Sequence, residues 1–468
     1  MLVDLPTEIL QGILALLEIR DLLVMARTGK RFRELVEYWV QQGHIPLRAP
    51  FSSEEQPATQ FQYQRFPWIL ARLKPPRLLL RDGTFLDHLP TSAFFPRATL
   101  AETFPPLRTF QATHPKYVLG AYRNRTTLQR PPARLWAYLE GSGTQEMYHF
   151  ILEGWDLADA PFVFKEKHSR RYPLETLSLC GCNLPPYLLL DFLAHHGRDL
   201  RHLYLADCWI PPSTPSVAAA QAAIASILLQ PQISGTLRTL WLDPCTFRFP
   251  NGRLDAIISR CQNLHELRLG RLNGENPWDV IQLATQATRD LKILRLLTNR
   301  HAFTIFPTGR TPLWGFCLMV LEDWFRFLGA LQDHFTSLST LHLGMLSLPA
   351  AHALMRALTP TEQFAFGPLD HLGIFGINQV SEMPGVEDVR EWGRYMAQSS
   401  VRTITLTDLP WLDEVLLRQW AKDLIKVPST LRHLRLFGTS VLPEKIQSSF
   451  WSTLPVQVII CDADPIKN

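Results

Sequence analysis

Cys180, Cys182, His195 and His196 lie within one short stretch and are the nearest approach in this chain to a metal-ligating set. Their spacing argues against one. Cys-x-Cys is a weak zinc pattern, and the two histidines end an apolar, helix-like run just before Gly197. No Gly-x-Ser-x-Gly elbow, Walker loop, dinucleotide fingerprint or HExxH pair occurs. Histidines and acids are plentiful, but nothing fixes them at catalytic spacing. The expectation is a chain that is not an enzyme and that holds no cofactor and no metal. A different set is more informative: Tyr204, Trp241, Arg268, Arg295 and Arg435 occupy equivalent places in a repeated pattern. Aromatic and arginine side chains are the types enriched at binding hot spots.

The pattern that would position them begins at Leu174 and returns at Leu200, Leu237, Leu264, Leu291, Leu338, Leu369, Val401 and Leu431. Each copy reads apolar, two variable, apolar, one variable, apolar, and then closes on Cys, Asn or an apolar residue, except the last, which closes on Thr439. The shorter intervals, such as Leu237 to Leu264, fit the ~20–29-residue period of a leucine-rich repeat; the longer ones would carry insertions. Helix-like stretches lie between cores, at 188–195, 217–229, 254–260, 280–287 and 324–331. Cys182, Cys208, Cys245 and Asn299 each fall three residues after the last apolar residue of their core. An inward turn suits both types, because Asn bonds buried backbone and a thiol packs as a small apolar group. The alternation of Val456, Val458 and Ile460 predicts a closing strand. One repeat cannot bury its own apolar face, so stacking must supply the stability. Strand side chains alternate, and the variable positions would line a concave face. There Tyr204 and Trp241 stand side by side, followed by Arg268, Arg295 and, further on, Arg435. That face is expected to grip a target protein, its arginines suited to an acidic or phosphorylated segment.

Residues 4–40 divide into three short amphipathic helices. Asp4 can cap the first, with Pro6 in its opening turn and Ile9, Leu10, Ile13, Leu14 and Leu17 on one face. Asp21 can cap the second, Leu22 and Leu23 behind it, and Gly29 breaks it before Phe32, Leu35, Val36, Trp39 and Val40. Helices this short cannot bury all that surface among themselves, so part must face a partner or the rest of the chain. The order Leu5-Pro6-Thr7-Glu8-Ile9-Leu10, then Asp21-Leu22-Leu23, then Thr28-Gly29-Lys30-Arg31-Phe32 closely resembles the F-box motif. Gly29 stands where a cysteine is frequent, a departure that leaves the Leu-Pro helix intact. The resemblance implies docking on a Skp-type adaptor and, through it, a cullin ubiquitin ligase. Carried over by position, Leu5, Pro6, Ile9, Leu10 and Ile13 would meet the adaptor, with Leu22 and Leu23 beside them.

Residues 46–170 are rich in proline and hold no long period. Aromatics such as Trp68, Trp136 and Trp155 argue against disorder there, and Leu78-Leu79-Leu80 and the stretch from Leu107 to Ala112 could be strands of degenerate repeats. With 46% hydrophobic and 19% charged residues the chain can build a large core. The 47 basic and 43 acidic side chains are too evenly balanced for a nucleic-acid binder. No signal peptide and no span-length apolar run is visible, so no membrane partner is expected. Seven cysteines without a framework fit a reducing compartment, cytoplasmic or nuclear.

The sequence thus predicts an α/β chain: a three-helix F-box module over 1–45, an irregular junction over 46–170, and over 171–468 a leucine-rich-repeat solenoid with a curved parallel sheet and outer helices. The function implied is substrate recognition for a Skp–cullin–F-box E3 ubiquitin ligase. The alternative is a non-degradative interaction scaffold with a vestigial F-box.

Overall fold

The computed structural model describes residues 6–17, 19–42, 47–48, 77–80, 108–114, 128, 130–131, 147–158, 173–206, 208, 215–242, 253–270, 290–296, 326, 328–331, 337–359, 369–378, 386–407, 409, 411–427, 429–439, 441, 454 and 456–461. The chain divides into two compact units, Met1–Thr236 and Leu237–Asn468. The first begins with α1 (Thr7–Leu16), α2 (Ile19–Thr28) and α3 (Lys30–Gln41). Pro6 is the N-cap of α1, where its missing N–H costs nothing; Asp4 lies outside the described residues. Asp21 sits in the first turn of α2 rather than before it, a place where the helix dipole favours a carboxylate. Gly29 caps α3 in extended backbone. Leu10, Leu14, Leu22, Ala26, Val36, Trp39 and Val40 are buried.

Among the described residues, six parallel strands follow in this unit: β1 (Leu47–Arg48), β2 (Arg77–Leu80), β3 (Thr109–Thr113), β4 (His149–Glu153), β5 (Thr176–Ser178) and β6 (His202–Leu205). Parallel neighbours need a crossover, and helices supply it after β5 and β6: α4 (Pro186–His196), α5 (Pro215–Leu228) and the short α6 (Pro231–Ser234). Pro186 and Pro231 open their helices at positions that require no N–H donor. Phe110, Phe150 and Phe192 stack in series, with centroids 5.8 and 5.4 Å apart, and tie β3 and β4 to α4.

The second unit repeats the scheme, among the described residues, with eight parallel strands: β7 (Thr239–Leu242), β8 (Glu266–Leu269), β9 (Ile293–Leu296), β10 (Thr340–Ser347), β11 (His371–Asn378), β12 (Thr403–Thr407), β13 (His433–Phe437) and β14 (Gln457–Cys461). Helices α7 (Arg253–Arg260), α8 (Leu348–Ala357), α9 (Val386–Gln398) and α10 (Glu414–Lys426) cross between them. From β7 to β13 two apolar residues per strand, such as Leu267 and Leu269 or Leu434 and Leu436, are fully buried. Each contributes on the order of 1.5–3 kcal/mol relative to exposure. The indoles of Trp392 and Trp420 stack 6.0 Å apart between α9 and α10, and Trp420 Nε1 donates to Val389 O at 2.8 Å. Asp413 caps α10 by accepting from Leu416 N at 2.8 Å.

All nine predicted cores are strands, β5 to β13, and the predicted closing strand is β14. The architecture is α/β, an N-terminal helical module followed by a solenoid-like parallel repeat. Among its described residues the stretch 46–170 contributes four strands of the same kind.

One turn position organises the first unit. Cys182 Sγ donates to Leu152 O at 3.2 Å, and Cys208 Sγ donates to Leu179 O at 3.1 Å, each reaching back one repeat. Trp155 takes the same place after β4, its Nε1 donating to Ala112 O at 3.0 Å. All three are buried, and burial pushes the Cys182 thiol up to about 12, so it stays an uncharged donor. Cys245 and Asn299 lie outside the described residues.

Candidate functional site

Two surfaces meet the requirements of a binding protein. On the helical module, apolar side chains split by exposure. Leu10 and Leu22 are only 4% and 2% exposed and serve the core of the module, whereas Ile9 is 53% and Ile13 38% exposed. Pro6 is exposed as well, as are Leu16 and Val24. Exposed aliphatic residues on neighbouring turns of a short helix lose free energy in water and recover it only on a partner. Leu5 and the Leu23 side chain lie outside the described residues.

The second surface is one face of the sheet in the second unit. Register aligns Trp241, Arg268, Arg295, His342, Gly373, Thr405, Arg435 and Ile459 in one row across β7 to β14. A second row runs two residues earlier and holds Glu266, Thr340, His371 and His433. Four of the five residues expected to grip a target are therefore brought into one line; Tyr204 lies on β6 of the first unit, stacked on His202.

Arg268 places its guanidinium over the Trp241 ring, 4.8 Å from the centroid, and pairs with Glu266. Arg295, next in the row, is held differently. Its Nε is buried and has no hydrogen-bond partner. Burial first, and then the Arg268 charge, push its pKa down to about 10 against the opposing pull of Glu266.

Between Arg295 and Arg435 the row changes character. Gly373 has no side chain, and the imidazole of His371 bridges the residues on either side of it. His371 Nδ1 meets His342 Nε2 at 3.4 Å, and His371 Nε2 meets Thr405 Oγ1 at 2.9 Å. The two rings are edge to face at 4.6 Å. Burial, then Arg295, His371 and Arg268, drive the pKa of His342 down to about 2. Burial, then Arg435 and Arg295, lower that of His371 to about 4. Both rings are neutral near pH 7, so among the described residues of these two rows the charge comes from three guanidiniums and one carboxylate. The motifs found Trp241 and the arginines; the histidine bridge escaped them because it depends on which rows the register sets side by side.

In the first unit, the matching face carries Glu153, which accepts from Ser178 Oγ at 3.0 Å and Thr113 Oγ1 at 3.1 Å. Burial raises its pKa, with both hydroxyls opposing. Among the described residues no cluster of His, Cys, Asp and Glu could hold a metal ion, and no helix is long and apolar enough to cross a membrane.

Residues 2–40 match the F-box-like family model. The N-terminal helices are thus an F-box-like domain, and the exposed Pro6, Ile9 and Ile13 belong to it. Among solved structures, the chain is similar to one titled as the crystal structure of the Rad7 and Elc1 complex in yeast. The TM-score is 0.44 and the identity 14%, over 96% of this chain and 90% of that one. No curated protein sequence matches significantly.

Proposed function

We propose that the chain is the substrate-recognition subunit of a Skp–cullin–F-box E3 ubiquitin ligase. The F-box-like domain docks on a Skp-type adaptor, which bridges to a cullin, and the leucine-rich repeats bind the target protein. The observation that carries this reading is the exposure of Ile9 and Ile13 within residues that match the F-box-like family. The same helix buries Leu10 and Leu14, so it has a core face and an outward apolar face that an adaptor would cover. The chain supplies proximity and orientation, and the ligation chemistry belongs to its partners. Such a role belongs to the cytoplasm or nucleus.

The test is co-purification of the full chain with a Skp-type adaptor and cullin, wild type against Ile9→Glu/Ile13→Glu. Wild type retains both partners and the variant loses them with an unchanged melting profile, since both side chains are outside the core. Absence of adaptor from the wild-type preparation overturns the reading, as does equal recovery with the variant.

A further inference from the structure

The spacing of cations along the second unit's sheet narrows what that face can bind. Arg295 on β9 and Arg435 on β13 share one register row and are four strand steps apart. At ~4.8 Å per step they are about 19 Å apart. No single phosphate or carboxylate reaches both. An extended peptide lying across the strands advances ~3.3 Å per residue and covers that distance in about six residues.

The three guanidiniums are in unequal states. Arg268 is already paired with Glu266 and stacked on Trp241. Arg295 has a buried donor with nothing to bond, and the exposed Arg435 projects beyond Thr405. A buried unpaired N–H is costly, so a ligand that draws the Arg295 fork into a bidentate pair recovers what the free chain forgoes. Between the two arginines lies the polar bridge of His342, His371 and Thr405, with no acidic side chain in either row from β9 to β14 among the described residues.

We infer that this face binds an extended acidic segment of a protein, laid across the strands, with one carboxylate cluster on Arg295 and a second on Arg435. The inference rests on the target-binding role assigned to the repeats. It differs from a single-phosphate site in requiring two charges at a fixed separation.

The test uses the full chain and fluorescent peptides in an anisotropy titration. One peptide carries two Asp-Glu pairs separated by about five neutral residues. A second has the same composition with the four acids adjacent. A third replaces the acids by Asn and Gln, and a fourth carries one phosphoserine and no other acid. The spaced peptide binds best, about tenfold tighter than the adjacent one, and the amide peptide does not bind. Arg295→Gln and Arg435→Gln each weaken the spaced peptide about tenfold. Arg435 is exposed, so its variant melts as wild type and its loss of binding is not loss of fold.

Equal affinity for the spaced and adjacent peptides overturns the inference. So does tighter binding of the phosphopeptide that ignores Arg435→Gln, which would assign a single-phosphate site at Arg295. Adaptor co-purification, measured on the same variants, separates the two failures. If it persists while the peptide arms fail, recruitment stands and the acidic ligand falls. If it is absent while the spaced peptide binds, the reverse holds.

Discussion

Acidification from pH 7.5 to 5.5 should destabilise the second unit through His342 and His371. An unfolded histidine titrates near 6.5, whereas folding holds His342 near 2 and His371 near 4. Folded rings thus stay neutral across a window in which the unfolded chain takes up protons. The unfolded state binds more protons, so stability is fully present above pH 6.5 and is lost as pH falls below it. One pH unit below 6.5, a ring that remains neutral in the folded state contributes a loss of about 1.4 kcal/mol. His342 is buried and takes that value, while the half-buried His371 is screened by water and takes about half of it. The pair therefore loses about 2 kcal/mol at pH 5.5. Burial sets this first, and the neighbouring charges of Arg268, Arg295 and Arg435 add to it. Glu153 works in the opposite direction in the first unit, because a raised carboxyl gains protons on folding. Urea unfolding at several pH values, compared between wild type and His342→Asn/His371→Asn, cancels Glu153 and isolates the pair. The wild type should lose about 2 kcal/mol more than the variant over this range. Parallel pH profiles would refute the burial and charge argument for these rings.

Three further substitutions probe the packing. Gly393→Ala on α9 drives a Cβ to 2.6 Å from Trp420 Cα, backbone that cannot swing aside, and should cost about 1–3 kcal/mol in thermal unfolding. Gly12→Ala is its control: on α1 nothing lies within 4 Å, so the helix should gain up to about 1 kcal/mol and the melting point should rise or hold. Trp155→Phe keeps a ring but removes the donor to Ala112 O, leaving a buried carbonyl short of a partner, and denaturant unfolding should report a loss of about 1–3 kcal/mol.

The repeat was legible where leucine fills the core and was faint where other residues do. In β6 to β9 the pattern is written almost wholly in leucine, as in Leu200, Leu203 and Leu205, and strand and register follow from it. In the stretch from 46 to 170 the same positions are filled differently. Met147, Phe150 and Leu152 are the three apolar positions of β4, with Trp155 closing where Cys182 and Cys208 close later copies. Phe110 and Ala112 do the same for β3. A pattern scan weights leucine, whereas the sheet requires only that these positions be buried and that the closing donor reach the previous carbonyl. An indole N–H and a thiol S–H satisfy that equally, and their bonds to Ala112 O and Leu152 O show the equivalence.

The arginine-bearing face of the sheet was legible for a different reason and to a different depth. Alternation along a strand decides which residues share a face, so Trp241, Arg268, Arg295 and Arg435 could be placed together from spacing alone. Alternation does not fix the environment of each guanidinium. Arg268 and Arg295 are the same residue type at the same repeat position, yet one is neutralised by Glu266, two residues before it, and the other has Ile293 there. That single difference, a carboxylate against an aliphatic chain at the neighbouring row, leaves Arg295 Nε unpaired and Arg268 satisfied. Replacing Ile293 by Glu should therefore convert Arg295 to the state of Arg268: its Nε gains a partner, and its pKa rises from about 10 toward the ordinary arginine range. The same change would compete with any carboxylate arriving from a ligand. Ile293→Glu should thus raise stability in urea while weakening the spaced acidic peptide, a pairing of effects that simple damage to the fold cannot produce.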